Sequence, residues 1–184
     1  EDERFPALVA EVAGAAAGAA TRVFLAGGDA RLPAVARALA RLGFAVEVAA
    51  DPVFFGSAGA HVVAPEVARL LCMDCGQTSF KVSIQGHRAR YERSPRWQGA
   101  AAFCDAVVSC ARQAPPHDGV VLGLPCEVDA CAGAASSYFE SLPFAALAAL
   151  AAALACPLWL LSDAELAAHA AMVARPSPQA TLVL

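Results

Sequence analysis

The chain has 184 residues, enough to bury one good core or two small ones without disulfides. Its formal net charge of −4, with basic residues scattered, argues against nucleic acid as a main partner. The 58% hydrophobic fraction is inflated by alanine, which fills helices and drives burial weakly.

The start, EDERFPALVAEV, is acidic and lacks the basic segment of a secretory leader, so none is expected. Residues 22–26 read as a buried strand ending at Gly27 and Gly28, where glycines let backbone approach a ligand closely or simply close a turn. A helix is expected at 31–42, with Leu32, Val35, Leu39 and Leu42 on one face. A strand at 44–49 and a helix at 56–70, interrupted near Pro65, follow.

Three strands are expected next, at 69–74, 79–84 and 87–93, the last two joined by a turn at Gln85 and Gly86. The first ends in DCGQTSFK, residues 74–81, which sets a carboxylate, a tight glycine turn and a hydroxyl at the end of an apolar strand. Such an arrangement suits a phosphate and its magnesium. A helix at 99–113, a strand at 119–124, a helix at 142–155, a strand at 157–161, a helix at 163–174 and the opening of a strand at 180–184 complete the alternation.

The stretch 142–161 is long and apolar enough to suggest a membrane span, but Pro157 divides it into a helix and a short strand, and no membrane association is expected. Seven cysteines in apolar surroundings suggest reduced, buried thiols and a cytoplasmic protein. Cys72 and Cys75 form a CxxC without a second pair at zinc-ribbon spacing. His61, His87, His117 and His169 have no mutual spacing that suggests ligation.

DCGQTSFK resembles the first phosphate loop of the actin-like ATPase superfamily, which includes sugar kinases, acetate kinases, Hsp70 and actin. Two later segments are similar, in order and spacing, to the ROK sugar kinases: VVLGLPCEVD (residues 120–129), with Cys126 where glycine is usual, and PLWLLSDAELAAHAA (residues 157–171), with Ser162 where asparagine is usual. The resemblance implies an α/β fold, a ribonuclease-H-like mixed sheet with helices on both faces, plus part of a second actin-like lobe. It implies ATP and Mg²⁺ as cofactors and a small-molecule substrate, in this family a sugar. Asp74 would hold magnesium through water, and Gly76, Gln77, Thr78 and Lys81 would approach the phosphates. Glu127 and Asp129, expected on the loop after the 119–124 strand, would contact substrate hydroxyls, and Asp163 would be the catalytic base. From the residues alone, Asp163 also fits a helix cap and Lys81 a solvated strand face.

Residues 22–60 resemble the nucleotide-binding end of the same superfamily, an element that in the family follows the phosphate loops and here precedes them. The division expected is therefore 1–69 and 70–184. A circular permutation, two incomplete units or a fragment would each account for the order, and a homodimer or partner subunit would complete the unit. In the sugar kinases a second, glycine-rich phosphate loop follows the last strand. The sequence stops at Leu184 before one, so weak nucleotide binding is expected of the isolated chain. Besides a kinase, a noncatalytic actin-like regulator, reactivating chaperone or assembly factor, and a structural domain without nucleotide, fit this pattern.

Overall fold

The computed structural model describes residues 22–27, 33–76, 79–84, 87–91, 99–125, 127–129, 133–136, 139–174 and 181–183, with positions 7, 9, 11, 14 and 15 near the start. In chain order the elements are β1 (Arg22–Leu25), α1 (Pro33–Arg41), β2 (Ala45–Val48), α2 (Phe55–Val63), β3 (Leu70–Cys75), β4 (Phe80–Ile84) and β5 (His87–Tyr91). Then come α3 (Ala100–Gln113), β6 (Gly119–Leu124), β7 (Glu127–Asp129), β8 (Gly133–Ser136), β9 (Phe139–Leu142), α4 (Phe144–Leu154), β10 (Leu158–Ser162), α5 (Asp163–Ala174) and β11 (Thr181–Val183).

The main sheet has five strands in the order β10-β6-β3-β4-β5. β3, β6 and β10 run parallel, while β4 runs antiparallel to both β3 and β5. This is the expected ribonuclease-H-like mixed sheet. Its central strands β3 and β6 are near-continuous apolar runs because both faces are covered: β6 is buried along its whole length, and β3 at every position but Asp74. On one face Leu71, Met73, Leu122 and Leu124 pack with Phe103 and Val107 of α3 and with Leu147 and Leu150 of α4. On the other, Leu70, Cys72 and Val121 meet Ala60 of α2 and Leu166 of α5. Period-two alternation thus sends Cys72 and Cys75 to opposite faces. The CxxC spacing brings no thiol pair together, and Cys72, Cys75, Cys104, Cys110 and Cys156 are all free.

A second sheet, in the order β11-β1-β2, is wholly parallel. Val23 and Leu25 of β1 pack on Val35 and Leu39 of α1. Phe24, between them in sequence, faces the other way, onto Phe55 of α2 and Ala170 of α5. The helices α2 and α5 therefore form a layer between the two sheets, and the molecule stacks as α1, small sheet, α2 with α5, main sheet, α3 with α4. β11 belongs to the 70–184 segment yet pairs with β1 of the 1–69 segment.

Two glycines permit the central layer. A Cβ on Gly59 of α2 would lie 2.2 Å from the Leu166 carbonyl oxygen and 2.7 Å from the Ala170 nitrogen of α5, so the helices touch backbone to backbone. A Cβ on Gly123 of β6 would meet Leu166 Cδ2 at 2.7 Å. Leu166 is thereby seated against the sheet, and the start of α5 is fixed at the carboxyl ends of the strands.

The interruption expected near Pro65 ends the helix: α2 stops at Val63, because Pro65 denies the next turn a backbone donor and β3 begins by Leu70. Two expectations need correction. The loop expected around Glu127 and Asp129 is instead β7, the first strand of a small antiparallel sheet with β8 and β9. That sheet takes up Leu142, the first residue of the helix expected at 142–155, which runs from Phe144 to Leu154. The apolar stretch 142–161 divides as expected into a helix, a break at Pro157 and the strand β10. No helix among the described residues is long and apolar enough to cross a membrane.

Candidate functional site

The parallel strands β3, β6 and β10 end together, with Asp74 opposite Gly123 and Gly123 opposite Leu161. In open α/β sheets this carboxyl-terminal edge is where ligands bind, since the connecting loops and helix starts converge there. A cleft of about 310 Å³ opens at that edge. Asp74, Gly76 and Lys81 line it from the main sheet, Gly27 from the end of β1, and Asp163 from the start of α5. Segments 47 or more residues apart in sequence, read separately as phosphate, nucleotide and catalytic contacts, meet in one place.

Asp74 and Lys81 are cross-strand partners on β3 and β4. Lys81 Nζ donates to Asp74 Oδ2 at 2.5 Å, and each side chain is 18% exposed. Lys81 therefore does not lie on a solvated strand face, as the simpler sequence reading had it: the antiparallel register delivers its ammonium to the carboxylate at the strand end. Gly76 follows in the turn, where an added Cβ would lie 3.3 Å from the Ser79 carbonyl oxygen and 3.7 Å from Lys81 Nζ. A side chain there would fill the cradle beside the ammonium.

Asp163 opens α5 without capping it. The cap belongs to Ser162, whose hydroxyl accepts from the Glu165 amide at 3.1 Å, while Glu165 Oε2 accepts from the Ser162 amide at 2.8 Å and from its hydroxyl at 3.0 Å. This reciprocal capping box satisfies the helix start. The Asp163 carboxylate is left facing the cleft. Its pKa is raised, chiefly because the cleft walls withhold water from the charged form and further because the Asp74 carboxylate is near; the Ala164 amide and Lys81 oppose the shift.

Gly27 has a left-handed φ of +86°, and its amide donates to the Pro52 carbonyl at 2.7 Å. That bond closes the β1 turn onto the segment leading into α2. Pro52, Val53, Phe55 and Gly56 also line the cleft, as does Leu166. Sequence reasoning missed them because they are apolar and act as walls; the run of small residues in FGSAGA was the one signal that α2 packs unusually closely. Gln77, Thr78 and Gly28 lie outside the described residues. Glu127 and Asp129 stand on β7, and their side chains are likewise outside.

No protein-family model matches the chain, and no curated protein sequence matches it. Among solved structures, the chain is similar to a Cytophaga hutchinsonii ATCC 33406 protein described as a "putative sugar kinase", at 19% identity and a TM-score of 0.42. The match covers 53% of this chain and 36% of that one, so the matched part spans little over a third of that protein.

Proposed function

We propose that the cleft binds a magnesium nucleotide and transfers its terminal phosphoryl group to a small hydroxylated molecule, with a sugar as the substrate class. The observation that carries this reading is the convergence of Asp74, Gly76, Lys81 and Asp163 on one cleft from separate segments. The starts of α2 and α5 line the same cleft, and helix amino termini favour phosphate oxygens.

The charges fit a metal-bound nucleotide better than a free one. Two carboxylates and one ammonium leave the cleft short of positive charge, so a bare polyphosphate would be repelled and a divalent cation would bridge it to Asp74. Magnesium keeps most of its waters and needs one or two carboxylates beside the phosphates. Among the described residues no cluster of three metal-binding side chains exists, which suits a water-shelled ion on Asp74 rather than a protein cage. Bound there, magnesium and ATP would supply the phosphoryl group and the neutralising charge.

The residues of the chain would then do three things. Lys81, released from Asp74, would place its ammonium against phosphate oxygens. Gly76 would let backbone approach them. Asp163, with its affinity for protons raised toward the working range, would accept the proton of the attacking hydroxyl. The test is nucleotide turnover with a panel of sugars and polyols, using protein expressed from its entire reading frame. Asp163→Asn is expected to lower kcat by roughly 10²–10⁴ with nucleotide affinity nearly unchanged. Unchanged turnover in the variant, or no acceptor phosphorylated by the wild type, would refute the kinase reading.

A second reading, a nucleotide-responsive regulator without transfer activity, draws support from the Lys81–Asp74 pair. The carboxylate meant for magnesium already has a partner at 2.5 Å, so metal binding competes with an existing contact and affinity should be low.

A further inference from the structure

Behind the segment that walls the cleft lies a second, larger cavity of about 520 Å³. The two are separated by residues 51–57, which alternate between them: Pro52, Val53 and Gly56 face the first, while Asp51, Phe54 and Ser57 face the second. Phe55 borders both. The second cavity lies on the α2 and α5 side of the main sheet, against the far ends of β4 and β5, and shares neither Asp74, Lys81 nor Asp163.

Its lining has a consistent chemistry. Phe24 and Phe55, with ring centroids 4.9 Å apart, and Phe54 supply flat apolar surface. Ala58 and Ala174, on neighbouring helices, keep the space open. The polar groups include the guanidinium of Arg88, which only donates, and the hydroxyl of Ser83 and the imidazoles of His61 and His87, each of which can donate one hydrogen bond. Arg88 is held in place twice, by an ion pair with Asp51 and by stacking with its guanidinium carbon 5.5 Å from the centre of the Phe54 ring. One nitrogen serves Asp51, which leaves other N–H groups of the guanidinium fork for a second acceptor. A volume of a few hundred Å³, flat aromatic walls and a few placed donors are the attributes of a small-molecule site.

We infer that this cavity binds a planar aromatic carboxylate, its ring against the phenylalanines and its carboxylate toward Arg88 and the two histidines. The occupant suits these donors, since Asp51, the one carboxylate among the described lining residues, is already paired with Arg88. This site is independent of the phosphoryl-transfer reading.

Saturation-transfer NMR with 2-naphthoate as the probe and 2-naphthamide as its uncharged analogue tests the inference on the chain itself, without nucleotide. The wild type is expected to bind naphthoate, and more tightly than naphthamide. Ala58→Leu, at a solvent-exposed helix position, would fill the cavity and weaken naphthoate by at least about tenfold. Arg88→Gln would erase the preference for naphthoate over naphthamide while keeping binding to the ring. Asp74→Asn, in the first cleft, would leave naphthoate binding unchanged. Absence of naphthoate binding to the wild type would overturn the inference, as would equal binding by Ala58→Leu at an unchanged melting temperature. Absence of transfer activity in the wild type, with naphthoate binding intact, would refute the kinase reading alone.

Discussion

At the amino-terminal ends of β3 and β6, Asp118 accepts from Arg69 Nε at 2.8 Å in open solvent, and its amide donates to the Arg69 carbonyl at 2.9 Å. At the carboxyl-terminal ends of the same sheet, Asp163 shares a cleft with Asp74 and Lys81. The aspartates respond in opposite senses. The Arg69 guanidinium lowers the Asp118 pKa, whereas burial and the Asp74 carboxylate raise that of Asp163. A paired carboxylate is content to be ionised and fastens two strands; a carboxylate facing a cleft and another anion is poised to take up a proton. The two ends of the sheet thus divide into a clasp and a reactive edge.

The sharpest way to break the reactive edge is through the helices that hold it. Gly59→Ala places a methyl group against the α5 backbone, where no flexible side chain can yield. Urea unfolding should show a loss of about 2–3 kcal/mol. A change below about 0.5 kcal/mol would mean that α2 and α5 do not approach as closely as described.

Next in size is the contrast between Ser162 and Asp163, which occupy adjacent positions. Ser162→Ala removes half of the capping box and should cost about 1 kcal/mol. Asp163→Asn should cost nothing at neutral pH. Because the folded-state pKa of Asp163 is raised, the native protein binds more protons than the unfolded chain between the two values, and stability falls as pH rises through that window. The asparagine variant escapes this loss and should melt at or above the wild-type temperature at pH 7. If Asp163→Asn lowers the melting temperature as Ser162→Ala does, the residue is structural.

The smallest effect belongs to the clasp. Arg69→Ala should produce a slight, salt-screened loss, since both side chains are nearly half exposed. Its pH dependence has the opposite sign to that of Asp163: the pair contributes above the unfolded pKa of Asp118 and ceases to do so as pH falls through the lowered folded value. Stability curves of wild type and variant should therefore converge in acid, and a gap that persists there would mean Arg69 acts through packing alone.

Much of the reactive edge was legible in local sequence. The apolar run ending at Asp74, the turn at Gly76 and the strand that meets a helix at Asp163 are short-range patterns, and β3, β10 and α5 form where those patterns place them. What was not legible arises from pairing at a distance. The register that sets Lys81 on Asp74 depends on how β3 and β4 align, and no local pattern states it. Ser162 and Asp163 both suit a helix start by composition, and only the Glu165 contacts show which one caps. The β7, β8 and β9 strands are three or four residues each, with GAAS at the centre, too short and too small-sided for an alternating pattern to stand out. Gly59 and Gly123 look unremarkable in sequence because their importance lies in Leu166, which approaches both.

The most direct test of the cleft is an amide-resolved NMR titration of the 184-residue chain with ATP and magnesium, which detects even weak binding. Shifts should concentrate at Gly27, Asp74, Gly76, Lys81 and Ala164, and Asp74→Asn should abolish their magnesium dependence. Shifts that leave these residues untouched, or that persist unaltered with magnesium in Asp74→Asn, would contradict the assignment of this edge to a nucleotide.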